Sequence, residues 1–340
     1  MSKERFLIIG SNSFSGSSFI KYLLENNYQV LGVSRSDELD DIFLPYKWDN
    51  QIEFKKNASV DCFNFEKIDL NKDLEKLITN IIKFKPSFIV NFAAQGMVAE
   101  SWKNPVDWYT TNLISQVSLH NEIRKFDFIK KYIHFTTPEV YGSTDQGWIK
   151  ENFNFKPTTP YAVSRASCDL HLMSFFKAYK FPVVFTRAAN VYGEGQQLYR
   201  IIPRTMLSVI TEEPLYLHGG GLSERSFIHI KDVSQALLKI SLNAKPGTSW
   251  HISTNSKIKI KDLVIKIFNQ NNLNHKSIVK LSDERLGKDQ SYLLDSSSLR
   301  SKFNWEDKIS LDEGLNMTMK WVKTNINKLK KMSWVYEHKV

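Results

Sequence analysis

Tyr161 and Arg165 stand four residues apart, with Thr137 and Glu139 a short way upstream, and these residue types together suit the oxidation of an alcohol. A free tyrosine titrates near pH ~10, so a phenolate base at neutral pH needs its pKa lowered by about three units, or roughly 4 kcal/mol. A fixed cation about 4 Å away, at an effective dielectric near 20, supplies that much. Residues four apart share a helix face, which puts Arg165 in position to be that cation. An isolated Tyr-x-x-x-Arg is otherwise a helix-start aromatic beside a surface arginine, so the surroundings must decide. Residues 134–143 read His-Phe-Thr-Thr-Pro-Glu-Val-Tyr-Gly-Ser, and residues 160–165 read Pro-Tyr-Ala-Val-Ser-Arg. The second piece opens a helix: Thr158 and Thr159 offer capping oxygens, Pro160 suits the first turn, and an apolar periodic run follows.

The elements that must position these groups alternate along the chain. Residues 5–9 form an apolar run ending at Gly10, a helical pattern covers 14–25, and Gly10-Ser11-Asn12-Ser13-Phe14-Ser15-Gly16 lies between them. Strand, glycine-rich turn and helix in that order make a dinucleotide site, because N–H groups at the helix start can meet a pyrophosphate. Gly10, Ser13, Phe14, Ser15 and Gly16 are the expected contacts. The next strand, 28–33, leads to Ser34-Arg35-Ser36, where an acidic residue would prefer a ribose 2′-hydroxyl. Arginine and hydroxyls suit a 2′-phosphate instead, so NADP is expected over NAD. A third strand, 65–68, ends at Asp69-Leu70, within reach of an adenine. A fourth, 87–92, flows into Ala93-Ala94-Gln95, whose small residues let the backbone pass beneath a cofactor. A helix over 105–125, a fifth strand over 131–136 and a sixth over 181–187 complete the alternation, which predicts a Rossmann-type doubly wound parallel sheet with its crevice at the strand C-termini.

Beyond Asn190 the pattern turns loop-rich, with Arg200, Arg204 and Arg225 as candidate anion binders. Residues 226–254 read as a return to the first domain, and two or three amphipathic helices follow. The division expected is a dinucleotide-binding domain over 1–190 with 226–254, and a smaller, mainly C-terminal α+β substrate lobe over 191–225 and 255–340.

The 340 residues, 42% hydrophobic, are enough for a large core. Two cysteines, Cys62 and Cys168, make no disulfide framework, no Cys/His cluster has metal-ligand spacing, and no apolar run is long enough to cross a bilayer. The protein is expected in the cytoplasm, off the membrane. The net charge of +10 is spread over lysines often paired with acids, a solvated surface rather than a nucleic-acid face.

These motifs together resemble the extended short-chain dehydrogenase/reductases and, within them, the nucleotide-sugar 4,6-dehydratases that act on dTDP-glucose, CDP-glucose or GDP-mannose. Residues 136–142 resemble that family's Ser-Thr-Asp-Glu-Val-Tyr-Gly, 160–165 its Pro-Tyr-x-x-x-Lys, 187–193 its Arg-x-x-Asn-x-Tyr-Gly, and 285–295 its Arg-Pro-Gly-His-Asp-x-x-Tyr-x-x-Asp. The resemblance implies that Tyr161, assisted by Thr137, takes the proton of the sugar 4-hydroxyl while hydride passes from C4 to a tightly held NAD(P), contacted also by Tyr161 and Arg165. Glu139 then takes the C5 proton, water leaves C6, and hydride returns there. It further implies that Asn190, Arg200, Arg225 and Arg285 hold the nucleotide diphosphate, that Gln95, Thr137 and Tyr292 complete the substrate site, that the backbone at 214–217 reads the base, and that the chain pairs as a homodimer or assembles as a tetramer.

Two positions depart from the pattern. Pro138 stands where the dTDP-glucose enzymes carry a proton-donating aspartate, and Arg165 stands in place of lysine. C4 oxidation is therefore better supported than dehydration. An epimerase using the same oxidation, and a non-catalytic NAD(P)-binding sensor, are the alternatives.

Overall fold

The computed structural model describes residues 4–48, 62–144, 147–283, 287 and 290–338. Seven strands make one parallel sheet: β1 (Arg5–Ile9), β2 (Gln29–Ser34), β3 (Phe63–Lys67), β4 (Phe88–Asn91), β5 (Lys131–Thr136), β6 (Val183–Ala188) and β7 (Ser249–Ile252), in the order 7-6-5-4-1-2-3. The order reverses between β1 and β4, the place where such sheets open a ligand crevice.

β1 shows why both faces are covered. Its Phe6 and Ile8 pack with Phe19, Ile20 and Leu23 of the helix Phe14–Glu25 and with Val233, Leu237 and Ile240 of the helix Ile230–Asn243. Leu7 and Ile9 point the other way, against Leu77 and Ile81 of the helix Leu74–Phe84 and Leu172 of the helix Pro160–Tyr179. Side chains alternate across a strand, so a continuous apolar run is what two covered faces require.

A further core lies apart from the sheet. It joins the helices Ile201–Thr211, Ile260–Gln270 and Leu311–Leu329 through Met206, Leu207, Ile267, Phe268, Leu315 and Val322. Ile42, from the segment between β2 and β3, is buried in this same core, with Phe43 and Trp48 packed against it. Both rings face Trp321, and Lys328 Nζ meets Asp40 Oδ1 at 2.6 Å.

The structure differs from the sequence expectation at several boundaries. β3 starts at Phe63 rather than Phe65, because its register is fixed by pairing Phe63 with Val30 of β2. The helix expected over 105–125 is divided: Pro105–Tyr109 and Ser115–Ile123 are α-helical, and Thr110–Ile114 between them is a π-turn. β7 at the sheet edge was not expected as a strand.

Candidate active site

The loop after β1 is built for close approach. Gly10 takes φ +84°, and a Cβ there would lie 2.7 Å from Ala93 N; one on Gly16 would lie 2.4 Å from Gly10 O. Any side chain at either position would push the loop off β4 or the helix off the loop. Ser13 caps the helix, its hydroxyl donating to Gly10 O at 2.7 Å and accepting the Gly16 N–H at 3.0 Å. The first N–H groups of the helix, at Phe14 and Ser15, have no carbonyl within the helix to meet and are available to an anion.

Sequence reasoning missed Asn12. Its Nδ2 donates to Ser36 O and Ser36 Oγ, both at 3.2 Å, and to Asp37 O at 2.8 Å. This ties the glycine loop to the end of β2, where Ser34, Arg35 and Ser36 are half-buried. Ser11 Oγ and Asn12 Oδ1 are buried there without a protein partner. Asp69 accepts the Asn71 N–H at 2.9 Å through Oδ1, shaping the turn that carries Leu70. With Ala93 half-buried and Ala94 exposed beside them, these residues offer the polar groups and close backbone approach that a dinucleotide needs.

At the far end of the crevice, β5 delivers Thr136 and Thr137, and Thr137 caps a 3-10 turn over Pro138–Tyr141. Pro138 occupies the first position of that turn, where its fixed φ and missing N–H cost nothing. The turn leaves Glu139 half-buried, its N–H donating to Thr137 Oγ1 at 3.3 Å. Thr159 caps the facing helix by accepting the Ala162 N–H at 3.1 Å, and Pro160 starts it, so Tyr161 enters the site from the first turn.

The Thr137 side chain lies within hydrogen-bonding reach of Tyr161, and Glu139, Arg165 and Arg200 all act on the phenol. Burial pushes Tyr161 above its ordinary value and the Glu139 charge adds to this; Arg165, the Thr137 bond and Arg200 pull it down without prevailing. This corrects the expectation that Arg165 alone brings the phenol near neutrality. The geometry explains why. Arg165 is buried and donates through Nη2 to Phe135 O at 2.5 Å, so its charge is shared with the end of β5. Its Nε and Nη1 are buried without a protein partner, which leaves donors for a bound group.

A second residue missed from sequence is Asn112, buried in the π-turn. Its Oδ1 accepts the Gln95 N–H at 2.8 Å, while its Nδ2 donates to Gln95 O at 3.1 Å and to Ser164 Oγ at 3.0 Å. Ser164 Oγ in turn donates to Tyr161 O at 2.7 Å. One side chain thus holds the segment after β4 against the helix that carries Tyr161. Such π-turns recur at functional sites, and the extra residue here is what aims Asn112 inward.

Beneath the site, Asp169 follows Tyr161 and Arg165 down the same helix face. It accepts from Arg187 Nη2 at 2.5 Å and from Thr136 Oγ1 at 3.3 Å, with His134 Nε2 at 3.3 Å from its other oxygen. Burial favours the neutral acid, but Arg187 and His134 outweigh it and hold the carboxyl below its ordinary range.

The candidate substrate residues fall into two groups. Arg200 is exposed at the start of the helix Ile201–Thr211 and acts on Tyr161. Arg225 is buried and lies over the Tyr292 ring at 3.8 Å, because Tyr292 pairs with Arg225 in a short parallel ladder. Arg225 also donates to Gln290 O at 3.0 Å. Asn190 is half-buried and starts the strand Asn190–Tyr192, which pairs with Phe227–His229. Arg285 lies outside the described residues. The strand Leu215–His218, expected to read the base, pairs with Val279–Ser282. Among the described residues no cluster of His, Cys, Asp and Glu could hold a metal ion, and no helix is long and apolar enough to cross a membrane.

The family model for GDP-mannose 4,6-dehydratase matches residues 7–318. The chain is 28% identical over 331 residues to the trifunctional UDP-glucose 4,6-dehydratase/UDP-4-keto-6-deoxy-D-glucose 3,5-epimerase/UDP-4-keto-L-rhamnose-reductase of Arabidopsis thaliana, covering 95% of this chain and 47% of that protein. It thus spans about half the length of that relative. It is 28% identical over 352 residues to the dTDP-D-glucose 4,6-dehydratase of Homo sapiens, covering 98% of this chain and 94% of that one. Its fold matches dTDP-glucose 4,6-dehydratase from Bacillus anthracis in complex with NAD at a TM-score of 0.84 and 26% identity, over 97% of this chain and 100% of the other.

Proposed function

This chain belongs to the GDP-mannose 4,6-dehydratase family, and from that premise we propose that it converts a nucleoside-diphosphate hexose to the 4-keto-6-deoxy sugar with loss of water. The observation that carries the reading is the meeting of Thr137, Glu139 and Tyr161 at the end of β5 and the start of the facing helix, each within electrostatic or hydrogen-bonding reach of the phenol. A nicotinamide dinucleotide, when bound, accepts hydride from sugar C4 and returns it at C6. Tyr161, bonded to Thr137, takes the proton of the 4-hydroxyl. Oxidation at C4 acidifies C5, and Glu139 removes that proton. Pro138 has no proton to give, so Glu139 also delivers one to the departing C6 hydroxyl. Hydride return at C6 leaves an enolate whose C5 takes up a proton, and Tyr161 gives back the one it took from the 4-hydroxyl, so the sum is hexose to ketodeoxyhexose plus one water, with no net oxidation.

Arg165 orients the cofactor ribose through its free donors, and the Phe14 and Ser15 N–H groups receive the pyrophosphate, with Gly16 keeping the loop close to the helix. Arg35 and Ser36, with Ser34 and Asn12 beside them, support NADP over NAD. Asn190, Arg200, Arg225 and Arg285 hold the substrate diphosphate, with Gln95 and Tyr292 lining the same cleft. In this reading the sheet half, 1–190 with 226–254, serves the cofactor, and 191–225 with 255–340 serves the sugar nucleotide. Cys62 and Cys168 form no disulfide with each other, which suits the reducing cytoplasm. The exposed apolar residues Val106, Ile114 and Leu170 on two adjacent helices suit a homodimer.

Incubation of the holoenzyme with UDP-, GDP-, CDP- and dTDP-hexoses, read by mass spectrometry, tests the reading. A product lighter by one water is expected. Pro138 favours a second reading, epimerisation after the same C4 oxidation, and an unchanged mass with altered stereochemistry would establish that one instead.

A further inference from the structure

Residues 332–338 follow the helix Leu311–Leu329 as an irregular segment, with Met332, Trp334, Tyr336 and His338 half-buried and Ser333, Val335 and Glu337 exposed. Alternate side chains face the protein along this ribbon, which bends at Met332 and Val335. Its start is fixed on the substrate-lobe side: Trp334 Nε1 donates to Leu329 O at 2.8 Å, and the Arg204 guanidinium sits 4.8 Å from the indole. Its far end is fixed on the sheet half, where the His338 ring stacks on Trp108 at 4.9 Å and its Nε2 meets Asp107 Oδ2 at 2.8 Å. The ribbon therefore crosses from one half of the molecule to the other.

Tyr336 is the middle of the crossing and meets Tyr199 edge to face at 5.4 Å. The Arg200 guanidinium sits 5.4 Å from that same Tyr199 ring, and the Tyr336 hydroxyl lies 3.4 Å from His338 Nδ1; the Arg200 charge reaches Tyr161 as well. Arg200 thus stands beside the ring partner of the strap phenol and within electrostatic reach of the reaction-centre phenol. A phenol is a neutral donor, so it can serve an anion beside an arginine without adding repulsion.

Resting on the function proposed above, we propose that residues 332–338 form a strap across the cleft mouth and that Tyr336 is a further substrate-binding residue, donating to the diphosphate oxygens that Arg200 faces. The latch at Asp107 and Trp108 is one hydrogen bond and one ring stack, so it can open to admit the nucleotide and close behind it. Closure sets Tyr336 against the ligand and keeps water from the ketone formed at C4.

Three measurements on the full-length holoenzyme test this. UDP, GDP, CDP and dTDP are titrated calorimetrically, and the tightest is used on variants. Tyr336→Phe is expected to weaken that diphosphate about tenfold and to raise KM with kcat kept. His338→Ala is expected to speed its dissociation about tenfold in stopped flow. His338→Ala is also expected to speed trypsin cleavage after Lys330 and Lys331 severalfold without ligand. Affinity within twofold of the parent in Tyr336→Phe, or a fall in kcat alone, overturns the binding role. Unchanged cleavage in His338→Ala overturns the strap whether or not any nucleotide binds. If the parent binds none of the four diphosphates, the functional reading fails and the binding role of Tyr336 with it, while the cleavage assay still judges the latch by itself.

Discussion

Glu139 faces Tyr161, and its charge, after burial, is the largest influence holding that phenol above its ordinary pKa. The two bases of the proposed cycle therefore oppose each other's ionisation. Tyr161 acts as a base when ionised, so C4 oxidation rises with pH toward its pKa. Removing the neighbouring charge lowers that pKa and moves the rise to lower pH. Glu139→Gln is expected to show this acid-ward shift in the pH profile of cofactor reduction, followed at 340 nm, while loss of water falls at least ~100-fold. An unmoved profile would mean the two groups are not coupled.

Arg165 is expected to matter for rate and not for folding. It is a buried cation with two donors unused by the protein, and replacing such a group by a well-packed apolar one is often neutral or stabilising. Arg165→Met should lower kcat by about 100-fold or more, as a misplaced base and ribose would require, with Tm equal to or above the parent's. Arg165→Lys should recover part of the rate. A drop in Tm of several degrees for Arg165→Met would assign Arg165 to the scaffold instead.

Asp169 makes the opposite prediction. It is the carboxylate among Arg165, Arg187 and His134, and its removal leaves buried guanidinium charge uncompensated. Asp169→Asn should cost about 3–5 kcal/mol in denaturant unfolding. Its depressed pKa means the contribution is full above the unfolded value near ~4 and is lost as pH falls through the folded one. A loss below about 1 kcal/mol would show that the cluster relaxes to water.

Two buried histidines set the acid limit earlier than the carboxylates do. Burial is the main cause that pushes His134 down to about 4 and His251 down to about 3, with the nearby Arg charges adding to it. Both sit below the unfolded value near ~6.5, so their contribution is whole above that pH and drains away as pH falls toward the folded values. By about pH 4.5 each should have cost roughly 2–3 kcal/mol. Tm measured from neutral pH downward is expected to decline from about pH 6, and His251→Gln should flatten the decline. A level Tm down to about pH 5 would contradict the assignment.

The exposed apolar face bears on assembly. Val106, Ile114 and Leu170 are 71%, 59% and 52% exposed, on helices that flank the site. In light scattering, Ile114→Glu with Leu170→Glu should turn a dimer into a monomer with little change in far-UV spectrum. A parent that already scatters as a monomer at micromolar concentration would remove the dimer.

Much of this was legible in the residues. β1, β5 and the helices Phe14–Glu25 and Pro160–Tyr179 begin where expected, because Ser13 and Thr159 are local caps and the apolar periods around them are strong. Thr137, Glu139 and Tyr161 converge as their spacing implies. What could not be read depends on distant partners. The π-turn has no local signal, since Asn112 is drawn in by the Gln95 backbone. β7 is four residues long and exists through β6. The balance on Tyr161 turned on how deeply it and Arg165 are buried, which spacing does not state.

The segment around Ile42 has a consequence for how the molecule can be taken apart. Residues from between β2 and β3 form one wall of the interior on the opposite side, seated against Trp321 near the last helix's middle and tied to Lys328 near its end. A chain whose opening seventh is sewn into its closing helix offers no clean line for a cut. Heating should melt both halves in one transition, and exchanging the helical core outside the sheet would fail unless residues 40–48 travelled with it.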